Sequence, residues 1–399
     1  MEEWKEYRIE DTSIKIIDGD RGVNYPKGSD FYPTGYCLFL NAGNVTKQGF
    51  SFTENSFITQ EKDNKLRNGR LERNDVVITT RGTVGNVALY DSLIPYDHIR
   101  INSGMLILKS GKDILPEYLF YYLKSDSFQR QISQYVSGSA QPQLPKSTLS
   151  KMSITFPNSL KTQKRIADIL KSLDNKIELN NRINHNLEEL LFTIYSDMLP
   201  RCIGQQTIGN IASNVFSGGT PDTKQPSFWG GHINWLSSGE TSDHFIIGTN
   251  KFITSLGLQE SSTKYASKYD VVIASAGQGN TRGQTSLLLL NTCINQSVIA
   301  IHADAGHSFI IYCSLSNRYN ELRAISDTSS IRGSLTTKMI SAMEIPVFSQ
   351  ADQDMFTSKA SSIISLIELN LRENYSLNKI RDIILPKMMT GQLSGLLHY

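Results

Sequence analysis

Residues 159–199 run SLKTQKRIADILKSLDNKIELNNRINHNLEELLFTIYSDML, and this stretch decides the fold. Ile166, Leu170, Leu173, Ile177, Asn180, Asn184, Leu187, Leu191, Ile194 and Met198 recur at alternating steps of four and three. That is the spacing of a coiled-coil seam. A second copy follows over Ser349 to about Leu385, with Phe356, Ala360, Ile363, Ile367, Asn370, Asn374, Leu377 and Ile384 in the seam. Both copies carry Ile-Glu-Leu-Asn, at 177–180 and 367–370, followed by Arg182/Arg372, Asn184/Asn374 and Leu187/Leu377. Each helix is on the order of 50–55 Å long at 1.5 Å per residue, and each apolar stripe needs a partner. The nearest partner is the other copy. Seam asparagines lower stability but fix register, because an Asn facing an apolar residue is buried unpaired; Asn180, Asn184, Asn370 and Asn374 are therefore register residues. Two core helices of one large domain, or a coil between two chains, are the alternatives.

Working outward, residues 1–158 hold short strand-like runs broken by Gly, Pro, Asn and Asp: YCLFLNAGNV (36–45), DVVITTRGTVG (75–85), MLILK (105–109) and MSITFP (152–157). LPEYLFYYLKSDSFQRQISQYV (115–136) has one helical stripe. Residues 201–348 repeat the order. HINWLSSGET (232–241) answers the first run, DVVIASAGQGN (270–280) the second, INQSVIAIHA (294–303) answers INSGMLILKS (101–110), and SSIRGSLTTKMISAMEIPVF (329–348) answers GSAQPQLPKSTLSKMSITFP (138–157). The offset drifts from 195 residues at Asp75/Asp270 to 190 at Ile177/Ile367, as loops of a duplicated unit diverge. The expected organisation is a duplicated α+β chain: domains at 1–158 and 201–348, helices at 159–200 and 349–399, the helices forming an antiparallel coiled coil. Ser159 and Ser349 are placed to cap the helices, with Asp352 completing a box-like motif. Pro200 is expected to stop the first helix, and Pro386 to stop or kink the second.

The bulk numbers fit this plan. The 399 residues suffice for two or three domains, and 40 basic against 38 acidic residues leave nucleic-acid contact to local patches. Cys37, Cys202, Cys293 and Cys313 have no CxxC spacing, which points to a reducing compartment without zinc or a disulfide framework. The charged start and the absence of an apolar run of 18 residues predict a cytoplasmic protein with no membrane span.

With the repeat in view, the chain resembles the specificity subunits of Type I restriction–modification systems over essentially its whole length. SGGTPDTKQPSFWGGHINWLSSGE (217–240) looks like the opening motif of a target recognition domain in that family, and DVVITTRGTVG like its strand–turn motif. GSAQPQLPKSTL and QKRIADILKSLDNKIELNNRINHNLEEL look like the entry to its spacer helix. The first domain departs from the pattern: DGDRGVNYPKG (18–28) stands where GGTP is expected. The resemblance implies two target recognition domains, each reading half of a split site on double-stranded DNA. It implies helices that space them and dock two modification subunits carrying methyltransferase chemistry, with restriction subunits joining as the ATP-dependent endonuclease. No cofactor is expected in this chain; S-adenosylmethionine and ATP/Mg are implied for the partners.

The residues themselves agree that the chain is not a catalyst. It contains no GxxxxGK[ST] and no amino-methyltransferase NPP[YF] motif. PDTK (221–224) has the form of a nuclease Asp-x-Lys signature but lacks an upstream acidic partner, and the histidines are scattered. Sequence is read at base edges while Lys and Arg on phosphates set position. The candidate contacts are Arg21, Lys27, Lys47, Arg67, Arg70 and Arg81 in the first domain, and Thr220, Lys224, Gln225, Lys264, Gln278, Asn280 and Arg282 in the second. For each the plainer reading is a solvated surface group. Arg81 aligns with Ala276, so the halves are expected to read unlike sequences. Phe228, Trp229 and Trp235 are expected as core or loop anchors. Helices of this length are expected to hold half-sites on the order of 10–15 base pairs apart. Two other functions fit fewer features: a coiled-coil scaffold without DNA specificity, and a stand-alone DNA-modifying enzyme.

Overall fold

The structure, a computed structural model, describes residues 4–135, 142–277, 279–328 and 333–393. It divides into two compact units, Met1–Lys176 with Leu377–Tyr399, and Ile177–Ser376.

In the first unit, Lys15–Asp18, Met105–Lys109, Val76–Thr79 and Val87–Leu89 form an antiparallel sheet in that order. Alternate side chains of its central strands serve two cores. Val76, Ile78, Leu106 and Leu108 face the core under helix Pro116–Lys124, while Val77, Met105 and Ile107 pack with Leu38, Leu40 and Tyr90. Burial on both faces explains why VVI and MLIL are continuous apolar runs. A smaller sheet orders Phe57–Ile58, Cys37–Phe39 and Ile99–Arg100, and Trp4–Arg8 pairs with Ser153–Pro157.

The second unit repeats this plan. Asn214–Ser217, Val298–His302, Val271–Ala274 and Thr285–Leu288 follow the same order, with Phe245–Ile246 added at the edge. Lys251–Ile253, Trp229–Leu236 and Thr292–Ile294 match the smaller sheet, with Lys264–Ala266 added. Even the polar ends correspond. Asp75 faces Lys109 at 4.0 Å, and Asp270 faces His302 at 2.6 Å.

The two long helices span Leu160–Met198 and Gln350–Met389. Ser159 and Ser349 cap them, accepting from Thr162 N and Asp352 N at 3.2 Å. Contacts climb one helix as they descend the other. Asp174 meets Arg381 at 2.9 Å within the first unit. Within the second, Asn180 meets Asn374 at 2.9 Å, Asn184 meets Asn370 at 2.8 Å, and Tyr195 packs on Phe356. The pair is therefore antiparallel, with the four seam asparagines bonded to one another.

Two helix expectations need correcting. The 115–136 stripe is two helices, Pro116–Lys124 and Asp126–Tyr135, because Ser125 takes extended backbone angles and its hydroxyl donates to Tyr122 O at 2.6 Å. Residue 136 lies outside the described residues. Pro386 does not stop the second helix, which continues to Met389. A proline inside a helix costs about 3 kcal/mol. Met388 and Met389 are buried in the first unit's core, at ~1.5–3 kcal/mol each, which offsets that cost.

Candidate nucleic-acid interface

The loop after the first strand of each domain is shaped by glycine. A Cβ on Gly218 would meet Ile294 O at 1.9 Å, and one on Gly219 would meet Ser262 Oγ at 2.0 Å. The SGGTP motif thus lets backbone pass against backbone, and Trp235 donates from Nε1 to Gly219 O at 3.3 Å. In the first domain Gly19 keeps the close approach, 2.3 Å from Asn102 O to its notional Cβ. Asp20 replaces the second glycine. Its buried carboxylate accepts from Gly22 N at 2.7 Å and Arg67 N at 2.6 Å. Burial pushes its pKa up, but these amides and that of Asn68 outweigh it and hold the group below its usual range. The departure from GGTP is therefore a different fastening of the same turn.

That fastening ties the loop of Arg21 to the segment of Arg67. Arg21 is exposed and donates to Asp18 at 3.1 Å and Ser103 O at 3.4 Å. Arg81 stands on the strand–turn 79–86, which is pinned by Gly85 N on Thr79 O at 2.9 Å and Asn86 Nδ2 on Val45 O at 2.9 Å. Arg21 and Arg81, 60 residues apart in sequence, line one cavity of about 270 Å³. Lys146 lines it too.

The other candidates are dispersed. Lys27, Lys47 and Arg67 are exposed on separate loops. Arg70 is engaged by buried Asp63 at 2.5 Å, a carboxylate that also binds the Arg100 guanidinium. In the second domain Lys224 and Gln225 are exposed, and Thr220 donates to Gln296 Oε1 at 2.5 Å. Exposed Lys264 lies over the Phe216 ring, and the Asn280 carbonyl accepts from Tyr319 at 2.7 Å. Arg282 is largely enclosed, held by Gly333 O at 2.8 Å and by Asp327. It braces a loop. Gln278 lies outside the described residues. Trp235 is buried and Trp229 meets it edge-on at 5.1 Å, as loop anchors do. Lys251, which sequence reasoning passed over, sits 5.9 and 5.8 Å above those two rings. Its signal lay only in a strand partner, since Lys251 opposes Trp235 in register.

His302 and His307 pair with different carboxylates, Asp270 and Asp304, at 2.6 and 2.5 Å. No group of three metal-ligating side chains occurs among the described residues.

The fold and its internal repeat define a class: a duplicated α+β protein in which two domains built on one plan alternate with two long coiled-coil helices. Residues 1–189 match the family model described as the Type I restriction modification DNA specificity domain. The chain is 21% identical, over 98% of its length and all of the relative, to the Type I restriction enzyme HindI specificity subunit of Haemophilus influenzae. It is 24% identical, over 80% of this chain and 77% of the relative, to the Type I restriction enzyme MjaIX specificity subunit of Methanocaldococcus jannaschii. Its fold matches the crystal structure of a Type I restriction–modification S subunit from M. genitalium, with a TM-score of 0.61 at 17% identity over 97% of this chain and 96% of that one. Over residues 1–189 the chain is similar to that DNA specificity domain, and as a whole it is similar to Type I specificity subunits. The resemblance read from its motifs is the family its relatives carry.

Proposed function

We propose that this chain is the DNA sequence-specificity subunit of a Type I restriction–modification complex, without catalytic chemistry of its own. Each recognition domain binds one half of a bipartite site. The paired helices set the gap and dock two modification subunits, which bring S-adenosylmethionine; restriction subunits with ATP and Mg complete the assembly. The observation that carries this reading is the duplication. Two domains share strand order and register while their equivalent loop positions differ, Arg21 with Thr220 and Arg81 with Ala276. One scaffold with unlike loops suits two unlike half-sites. Two long antiparallel helices, of 39 and 40 residues, support the spacer reading. Among the described residues no helix is long and apolar enough to cross a membrane.

The test is methylation mapping in cells expressing this chain with its modification subunit. A new split motif, two unlike short half-sites with a fixed gap, is the expected result. An assembled complex that adds no methylation would overturn the reading in favour of a scaffold. Adding residues to one helix should lengthen or abolish the gap, since half-site spacing is geometric.

A further inference from the structure

The cavity beneath Arg81 is lined by three cations whose counterparts in the second domain are uncharged. Its rim brings Arg21, Arg81 and Lys146 from three separate segments, with Asp18 as the one carboxylate and Leu106 and Leu144 in the wall. The repeat identifies the counterpart of each position. Asp18 pairs with Leu106 as Ser217 pairs with Ile299, which aligns Arg21 with Thr220 three residues on. Leu144 N donates to Thr80 O at 3.0 Å as Leu335 N donates to Ser275 O at 2.8 Å. That aligns Arg81 with Ala276, and Lys146 with Thr337, each the first residue of its short helix. Three cations in the first domain are thus replaced by Thr, Ala and Thr on the same frame.

We propose that this cavity seats a backbone phosphate of the DNA bound by the first domain, and that the second domain has no such seat; this rests on the DNA-binding reading above. Three cationic groups converging on a concavity suit a tetrahedral anion, which accepts from several directions at once. Base reading instead needs a side chain presented at a groove edge with its donors in one plane. The Arg81 turn is rigidly pinned, so little ordering is lost on binding. Phosphate contacts fix position without reading sequence, so the first domain would anchor its half-site more by charge than the second does.

The experiment uses the complex of this chain with its modification subunit, titrated with duplex carrying the mapped site and with unrelated duplex, across a salt series. The variant Arg21→Thr/Arg81→Ala/Lys146→Thr installs residues that the same frame already accepts in the second domain. Expected is a loss of affinity on the order of ten-fold for both duplexes, with an unchanged methylation motif. The slope of log affinity against log salt should shrink by about 0.9, one phosphate's worth. The reciprocal variant Thr220→Arg/Ala276→Arg/Thr337→Lys should steepen the slope by a similar amount, and decides the matter should the first variant not assemble. Unchanged affinity and slope would overturn the proposal while leaving the DNA-binding reading intact, as would a change of base preference in one half-site. A parent complex with no affinity for either duplex would sink the reading and the pocket together.

Discussion

Asn180 is fully enclosed in the seam, donating to Asn374 Oδ1 at 2.9 Å and Glu373 at 2.8 Å, and Asn374 donates to Asn181 at 2.8 Å. Replacing one member leaves polar atoms buried without partners, whereas replacing a facing pair leaves an apolar contact. Asn180→Leu should therefore destabilise by ~1–3 kcal/mol in denaturant titration, and Asn180→Leu/Asn374→Leu should recover most of it. A single variant as stable as the parent would refute this account. Glycines give a second contrast at this scale. Gly218→Ala meets a backbone carbonyl and should sharply reduce folded protein, while Gly239→Ala enters open space and should stay within ~0.5 kcal/mol of parent by thermal melt.

At the scale of elements, Glu188 on the first long helix is a junction within its unit. It accepts from Tyr312 at 2.9 Å and pairs with His244 Nδ1 at 2.6 Å. The Glu188 hydrogen bond raises the His244 pKa, against the opposing effect of burial. A histidine whose folded pKa lies above its unfolded value of about 6.5 adds stability that is fully present below that value. This contribution is lost as pH rises through the folded pKa. Glu188→Gln should thus flatten the decline in stability above pH ~6.5, and melting curves across that range measure it. An equally steep decline in the variant would show that the pair contributes nothing.

For the whole molecule, the units are not consecutive halves of the chain. Ile177–Ser376 is continuous, but the first unit is completed by Leu377–Tyr399, whose Met388 and Met389 enter its core and whose Arg381 meets Asp174. Truncation after Ser376 should leave the 177–376 unit melting cooperatively while the first unit loses two buried methionines, a loss of several kcal/mol at ~2–5 per side chain. Limited proteolysis with fragment identification checks this: cleavage should concentrate in residues 1–176. Protection of that region in the truncated chain would contradict it.

The sequence by itself determined the repeat, the succession of the main apolar strand runs along each copy and both long helices. These rest on local periodicity, and duplication printed each pattern twice. It also marked the seam asparagines, because a polar residue in an apolar register stands out in one dimension. It did not reveal that Ser125 breaks a stripe or that Pro386 is carried inside a helix, since both depend on what the neighbouring turns bury. The candidate contacts divide in the same way. Charge and loop position nominated Arg70 and Arg282 as readily as Arg21 and Arg81, yet Arg70 lies on buried Asp63 and Arg282 is enclosed with Asp327, whereas Arg21 pairs with Asp18 and stays exposed at the cavity rim. Lys146 joins Arg21 and Arg81 only where three distant segments meet. Which cations are already neutralised, and which converge, is a matter of Coulomb interactions through space, and only the tertiary structure sets those distances.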